Sequence, residues 1–240
     1  TEIYTFPYTT LFRSLGDLEG ALEVALRAAV WHSLPERARR IVTLLDRLGR
    51  DDEVVSLYED LARRAKDDPS WAIELVEREL RRGRRKQAEA HFDAASTRFR
   101  GSPSAMIRLA ELAARFGEDG RARAAWERVH RLAPRDEQGI LGLGETQFAE
   151  GQRELAAKTW RALRDGGRGV DGRLRLAEVL MEHDLVAPAL AEIEDARARE
   201  PKAPRVLRLL AQALERLRQP EAAVRAWEQV LALASDAGDG

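Results

Sequence analysis

The sequence contains no cysteine at all among its 240 residues. Disulfides, zinc ribbons, iron–sulfur clusters and thiol nucleophiles are therefore excluded together. No apolar run approaches the roughly 18 residues of a membrane-spanning helix. Aromatic residues make up only 6%, and proline and glycine number 9 and 17. There is little alternation of β-branched and polar residues of the kind that marks strands. Charge of one sign is also missing: 40 basic residues stand against 41 acidic ones, for a net charge of -1. That balance argues against a general polyanion binder and equally against an acidic chaperone or tail.

What is abundant is Leu, Ala, Arg and Glu, with 44% hydrophobic residues overall. This composition suits an all-α fold with a substantial core. The few large or special residues recur with one spacing. Tyr58, Phe92, Trp126 and Trp160 stand 34 residues apart, as do Pro35, Pro69 and Pro103, and Gly49, Gly83, Gly117 and Gly151. Three kinds of marker share one period, so the chain is an array of repeats.

Each marker has a mechanical meaning. Proline at the first position of a helix loses no hydrogen bond, because that N–H has no intrahelical partner. Asp68 and Ser102 precede two of the prolines as helix-capping acceptors. The glycine that follows supplies a left-handed turn, and a second helix then runs to the next unit. Each period is a helical hairpin. In its first helix the apolar residues fall at i, i+3, i+4 and i+7, as with Met106, Leu109, Ala110 and Ala113. Ala110 and Gly144 admit a close neighbour from one side and Ala122 and Ala156 from the other, while Trp126 and Trp160 fill the wider space beyond.

This pattern resembles the tetratricopeptide repeat, which has a small residue at the eighth position, Ala at the twentieth, a large aromatic at the twenty-fourth and Pro near the thirty-second. Unit 103–136 carries Ala110, Ala122, Trp126 and Pro134 at those places. Units 137–169, 170–203 and 204–237 continue the pattern with Trp160, Ile193 and Trp227. Units 35–68 and 69–102 keep the period more loosely, without the terminal proline and with Val54 for the small residue in the first. The resemblance implies a right-handed α-solenoid of antiparallel helix pairs, six repeats over 35–237 with a short tail at 238–240.

Residues 15–34 fit the second helix of a further, truncated repeat, with Ala21, Ala25 and Ala28 inward. Before them stands "FPYTTLFRS", residues 6–14, which fits no helical stripe. These nine residues resemble the translation of a common sequencing-library adapter, so residues 1–14 are expected to be largely non-native. The competing reading is a divergent cap with Phe6, Tyr8, Leu11 and Phe12 on its apolar face. The visible array is expected to be an excerpt of a longer one. Nothing in the sequence assigns a compartment.

Catalytic readings fail for want of parts. His32, His91, His130 and His183 are scattered over different units, with no metal-ligand spacing. "GILGLGE", 139–145, lies inside a first helix, with no preceding strand to make a nucleotide loop. No cofactor is called for. "RELRRGRRK", 78–86, is the densest basic cluster; it sits at a helix–helix turn without interleaved aromatics and is expected to be a solvated turn rather than a site for an acidic protein or nucleic acid. "RDGGRGVDG", 164–172, is expected to soften a joint between units.

In the resembled family the first helices line a concave groove, with partner contacts from positions two, five, nine and twelve. Here position five carries Ile73, Ile107, Leu141 and Leu174, position twelve Leu80, Ala114, Phe148 and Met181, and position nine Glu77, Glu111, Glu145 and Glu178. An acidic ladder between two apolar rows would suit an extended or helical protein segment that offers apolar anchors and basic residues. Helix-surface pairing of Glu77 with Arg81 and Glu111 with Arg115, and burial of the position-five residues under neighbouring units, form the competing reading. The clamp of Lys, Asn and Arg with which some family members hold chaperone C-termini is not matched. The expected function is a non-catalytic protein-interaction scaffold with no small-molecule substrate. The second reading is a regulatory or docking array of a larger enzyme or of an envelope or secretion assembly.

Overall fold

The computed structural model describes residues 17–29, 35–166 and 169–238; the segment 1–14, with its adapter and cap readings, lies outside the described residues. Thirteen helices and no strands are present among them. In chain order they are α1 (Leu18–Ala29), α2 (Pro35–Arg47), α3 (Asp51–Arg64), α4 (Ser70–Arg81), α5 (Arg85–Arg98), α6 (Pro103–Arg115), α7 (Asp119–Leu132), α8 (Glu137–Ala149), α9 (Arg153–Gly166), α10 (Val170–Glu182), α11 (Val186–Arg199), α12 (Pro204–Arg216) and α13 (Pro220–Gly238). Contacts divide the chain into a first unit ending at Arg98 and a second beginning at Phe99.

Within each unit the helices are stacked in order, each packing on the one before and the one after. The first helices of successive pairs also touch, α6 with α8 and α10 with α12. This is the α-solenoid arrangement, in which contacts are almost wholly between neighbours in sequence.

The turns inside the hairpins follow one design. Gly49, Gly83, Gly117 and Gly151 take φ of 70°, 70°, 72° and 82°. After each, the next amide reaches five residues back to a carbonyl of the preceding helix, as Glu118 N does to Ala113 O at 2.9 Å and Gln152 N to Gln147 O at 2.9 Å. This ends the first helix in a left-handed turn. In the last two hairpins Asp184 and Arg218 take the same place with φ of 59° and 57°. Helix starts vary more. Ser102 caps α6 by accepting from Ala105 N at 3.3 Å, and Asp136 caps α8 by accepting from Gly139 N at 2.8 Å. Pro69 stands just before α4 rather than at its first position, and Asp68 accepts from Ser70 N at 2.9 Å.

The core of the first unit gathers Ile41, Leu44, Val54, Tyr58, Trp71 and Leu75. That of the second includes Trp160 and Ile193, both with no exposed surface, and Leu174 and Leu176 at 2% and 1%. The repeat's aromatic position is thus the filling between helices, as its spacing indicates. The α9–α10 joint, expected to be soft, has α9 running on through Gly166 and α10 starting at Val170, directly after Gly169 at φ 63°.

The basic cluster at 78–86 is exposed at residues 81–83 and 85–86, as a solvated turn is, but three of its arginines also pair with the preceding hairpin. Arg78 bonds both Asp46 and Asp51. Arg82 reaches Asp51 at 2.8 Å and Arg84 reaches Asp52 at 2.7 Å, both in the preceding hairpin. Arg78, Arg82 and Arg84 form an ionic clasp between two repeats. Sequence separation of about one period hides such pairs from a local reading.

Candidate functional site

A groove of about 620 Å³ opens in the second unit between α6, α7 and α8. Its floor is set by one close approach. Trp126 projects from α7 against Gly142 of α8, where a Cβ would stand 2.3 Å from the ring's Cε2. Only glycine lets the helix backbone lie on the indole. Thr146 secures the same stretch by donating to the Gly142 carbonyl at 2.8 Å.

The rim is acidic. Glu111 comes from α6, Asp119 from the first turn of α7, and Glu145 and Glu150 from the last turns of α8 and just beyond. Glu150 accepts from Arg123 at 3.1 Å and from Gln152 at 3.1 Å. Glu111, Asp119 and Glu145 are exposed and carry no ion pair among the described residues. Arg115 is the one cation of the lining and is itself engaged by another group. Three free carboxylates above an aromatic and alanine floor, with Ala114, Ala122 and Ala149, make a shallow trough attractive to cationic side chains.

The residues anticipated from position in the repeat separate into distinct groups. Ile73, Ile107, Leu174 and Met181 are buried, at 4%, 9%, 2% and 5% exposure, and belong to the packing between helices. Leu80, Leu141 and Phe148 are half-buried. Phe148 lies 4.6 Å from the His183 ring and 5.9 Å from Trp160, with the Arg153 guanidinium 5.5 Å above it. Glu77 is held by Arg81 at 2.6 Å. Glu178 is held by Arg205 at 2.8 Å and lies 3.7 Å from Arg175. Only Glu111 and Glu145 of the acidic ladder come together in one groove with open carboxylates.

Asp119, Glu150 and Trp126 also line the groove, and position in the repeat does not mark them for it. The signal available for Asp119 was its position at the start of a second helix, where the hairpin turn returns the chain to the groove. Among the described residues no three His, Asp or Glu side chains group as they would around a metal ion. No helix among them is long and apolar enough to cross a membrane.

The stacked hairpins, their period and the aromatic filling define a helical-repeat α-solenoid. The family model described as tetratricopeptide repeat matches residues 73–137 and 174–239, more than half of the sequence, and the chain belongs to that family. No curated protein matches it. Solved structures that resemble it include MamA from Desulfovibrio magneticus RS-1, at 16% identity over 71% of this chain and 97% of that one, with a TM-score of 0.44. A tetratricopeptide repeat protein from Parabacteroides merdae is 13% identical over 95% of this chain and 91% of the other, with a TM-score of 0.45. YrrB, titled a TPR protein with an unusual peptide-binding site, is 14% identical over 75% of this chain and 93% of its own, with a TM-score of 0.44. Proteins of this family are generally non-catalytic, and a protein-interaction scaffold is the general role of this chain.

Proposed function

We propose that the chain acts without catalysis and holds a segment of a partner protein, extended or helical, in the groove of its second unit. The observation that carries this reading is the pair Glu111 and Glu145, exposed and unpaired on two neighbouring first helices above the Trp126 floor. Elsewhere many carboxylates are consumed by nearby arginines, as Glu77 and Glu178 are. Carboxylates left open in a recess attract cations more strongly than on a flat surface, because the walls exclude water and focus the field. The partner segment therefore presents Arg or Lys at the carboxylates and apolar residues toward the floor. Half-buried Leu141 and Phe148 extend the apolar contact along α8. Ile107, Leu174 and Met181 are buried in the packing of the second unit and do not line the groove.

The test is fluorescence anisotropy with a labelled Arg- and Leu-containing peptide and its Glu-substituted counterpart. Binding of the first only, weakened about tenfold or more by Glu111→Lys with Glu145→Lys, supports the reading. Equal binding of both peptides, or no effect of the charge reversal, overturns it.

A further inference from the structure

The second unit carries a counterpart to its acidic groove on the opposite sort of face. Between α9 and α11 lies a second recess of about 640 Å³, bordered by Arg153, Lys158, Arg161 and one carboxylate, Glu154, on α9 and by Leu185 and Pro188 toward α11. None of these three cations has an ion-pair partner among the described residues; Arg153 touches only the Phe148 ring. Beside them Leu155 is 44% exposed, one of the few large apolar side chains left open to solvent. With Glu154 among them, the three open cations and the exposed leucine still leave the recess net positive, opposite in sign to the three open carboxylates of the groove.

The reach is of the same order. Arg153 and Arg161 are eight residues apart on α9, or about 12 Å along a helix rising 1.5 Å per residue. Glu111 and Glu145 stand on first helices that touch, and packed helices lie about 8–10 Å apart. Arginine side chains, with their several rotatable bonds, can span a difference of this size.

We propose that the cationic segment taken by the groove is the outer ridge of α9 on a second copy of the chain. This rests on the groove reading above and names its partner. The two surfaces are different patches of one molecule, so the contact is head-to-tail: every copy offers one groove and one ridge, and assembly proceeds to open chains unless the rotation closes a ring.

Sedimentation velocity of the full chain tests this. At about 50 mM salt the sedimentation coefficient rises with concentration toward about 100 µM, and at about 0.5 M salt, where charges are screened within a few ångströms, it falls back to that of one copy. Glu111→Lys with Glu145→Lys, and separately Lys158→Glu with Arg161→Glu, each sediment as single copies, because groove and ridge then carry like charges. All four positions are exposed, so the helical circular dichroism of both variants stays that of the parent. Mixed in equal amounts, the two variants associate again, since each restores the opposite charge to the other. A parent that remains single at low salt while still binding the Arg- and Leu-containing peptide overturns the self-docking and leaves the groove reading standing. A parent that does neither overturns both. Association that persists at high salt and in both variants places the contact on another surface and also overturns the proposal.

Discussion

Gly144 lies flat against Trp160: a Cβ added to the glycine would stand 2.0 Å from the indole Nε1 and 2.4 Å from Cδ1. The ring has nowhere to retreat. His183 stacks on it with centroids 4.4 Å apart and planes at 19°, Phe148 lies 5.9 Å away, and the residue has no exposed surface. The Nε1 atom faces the helix without a hydrogen-bond partner, so packing alone holds the ring there.

Gly144→Ala is therefore destabilising, although alanine is the better helix former. The gain in helix propensity is about 1 kcal/mol, whereas overpacking a rigid contact costs about 1–3 kcal/mol. Urea denaturation followed by circular dichroism is expected to show a net loss for Gly144→Ala but a gain for Gly120→Ala, where a Cβ would meet nothing within 4 Å. Trp126→Ala, which empties the floor of the groove, costs about 3–5 kcal/mol through the cavity it leaves. A loss under about 1 kcal/mol would remove Trp126 from the role of filling between helices.

The hairpin turns offer a stabilising change. Arg218 occupies with φ 57° the place that glycine holds in four earlier hairpins, and its side chain is exposed. A left-handed conformation is unfavourable for a residue with a Cβ and free for glycine. Arg218→Gly is expected to raise stability by about 0.5–1 kcal/mol, and Gly151→Ala to lower it by a similar amount, both read as shifts in urea midpoint at unchanged slope. Asp184 is the weaker case, because its short polar side chain tolerates this conformation.

The repeat and the turn glycines were legible in the sequence because each answers to a local rule: backbone sign at Gly117, a cap at Ser102, a periodic stripe through Met106 and Leu109. Burial at position five was legible only as one of two competing readings. Ile73 and Leu174 sit where a partner contact is expected of the family, yet they are 4% and 2% exposed, and burial depends on packing that local spacing does not encode. The ionic clasp was hidden for the same reason, since Arg78 and Asp46 are 32 residues apart. Which carboxylates stay open is the remainder left after all such long-separation pairs have formed. Composition and spacing do not compute that remainder, which is why Glu111 and Glu145 stand out only in three dimensions.

The clasp itself is expected to carry measurable stability in the first unit. The Arg78 side chain is 19% exposed and serves two aspartates, so removing it leaves Asp46 without this arginine and Asp51 with Arg82 alone. Arg78→Met is expected to cost about 1–3 kcal/mol. Arg81→Ala breaks the exposed pair with Glu77, one helical turn apart, and costs at most about 0.5 kcal/mol. Equal effects of the two substitutions in urea denaturation would reduce the clasp to an ordinary surface pair.

Tyr58 gives the first unit an alkaline limit. Burial raises its phenol from an ordinary 10 to about 12, and the negative charge of Glu74, which also accepts its hydrogen bond, acts in the same direction. Because the folded value lies above the unfolded one, the folded chain holds the proton more tightly. The associated stability is fully present below pH 10 and is lost as the pH rises through about 12. Its size is on the order of 2 kcal/mol. Urea midpoints of the parent are expected to fall across that interval, while Tyr58→Phe, which has no proton to lose, falls less steeply. Phenolate absorbance should show one late-titrating tyrosine in the parent that is missing from the variant. If parent and variant lose stability in parallel, the phenol is not the group that sets the limit, and the Tyr58–Glu74 contact is open to water.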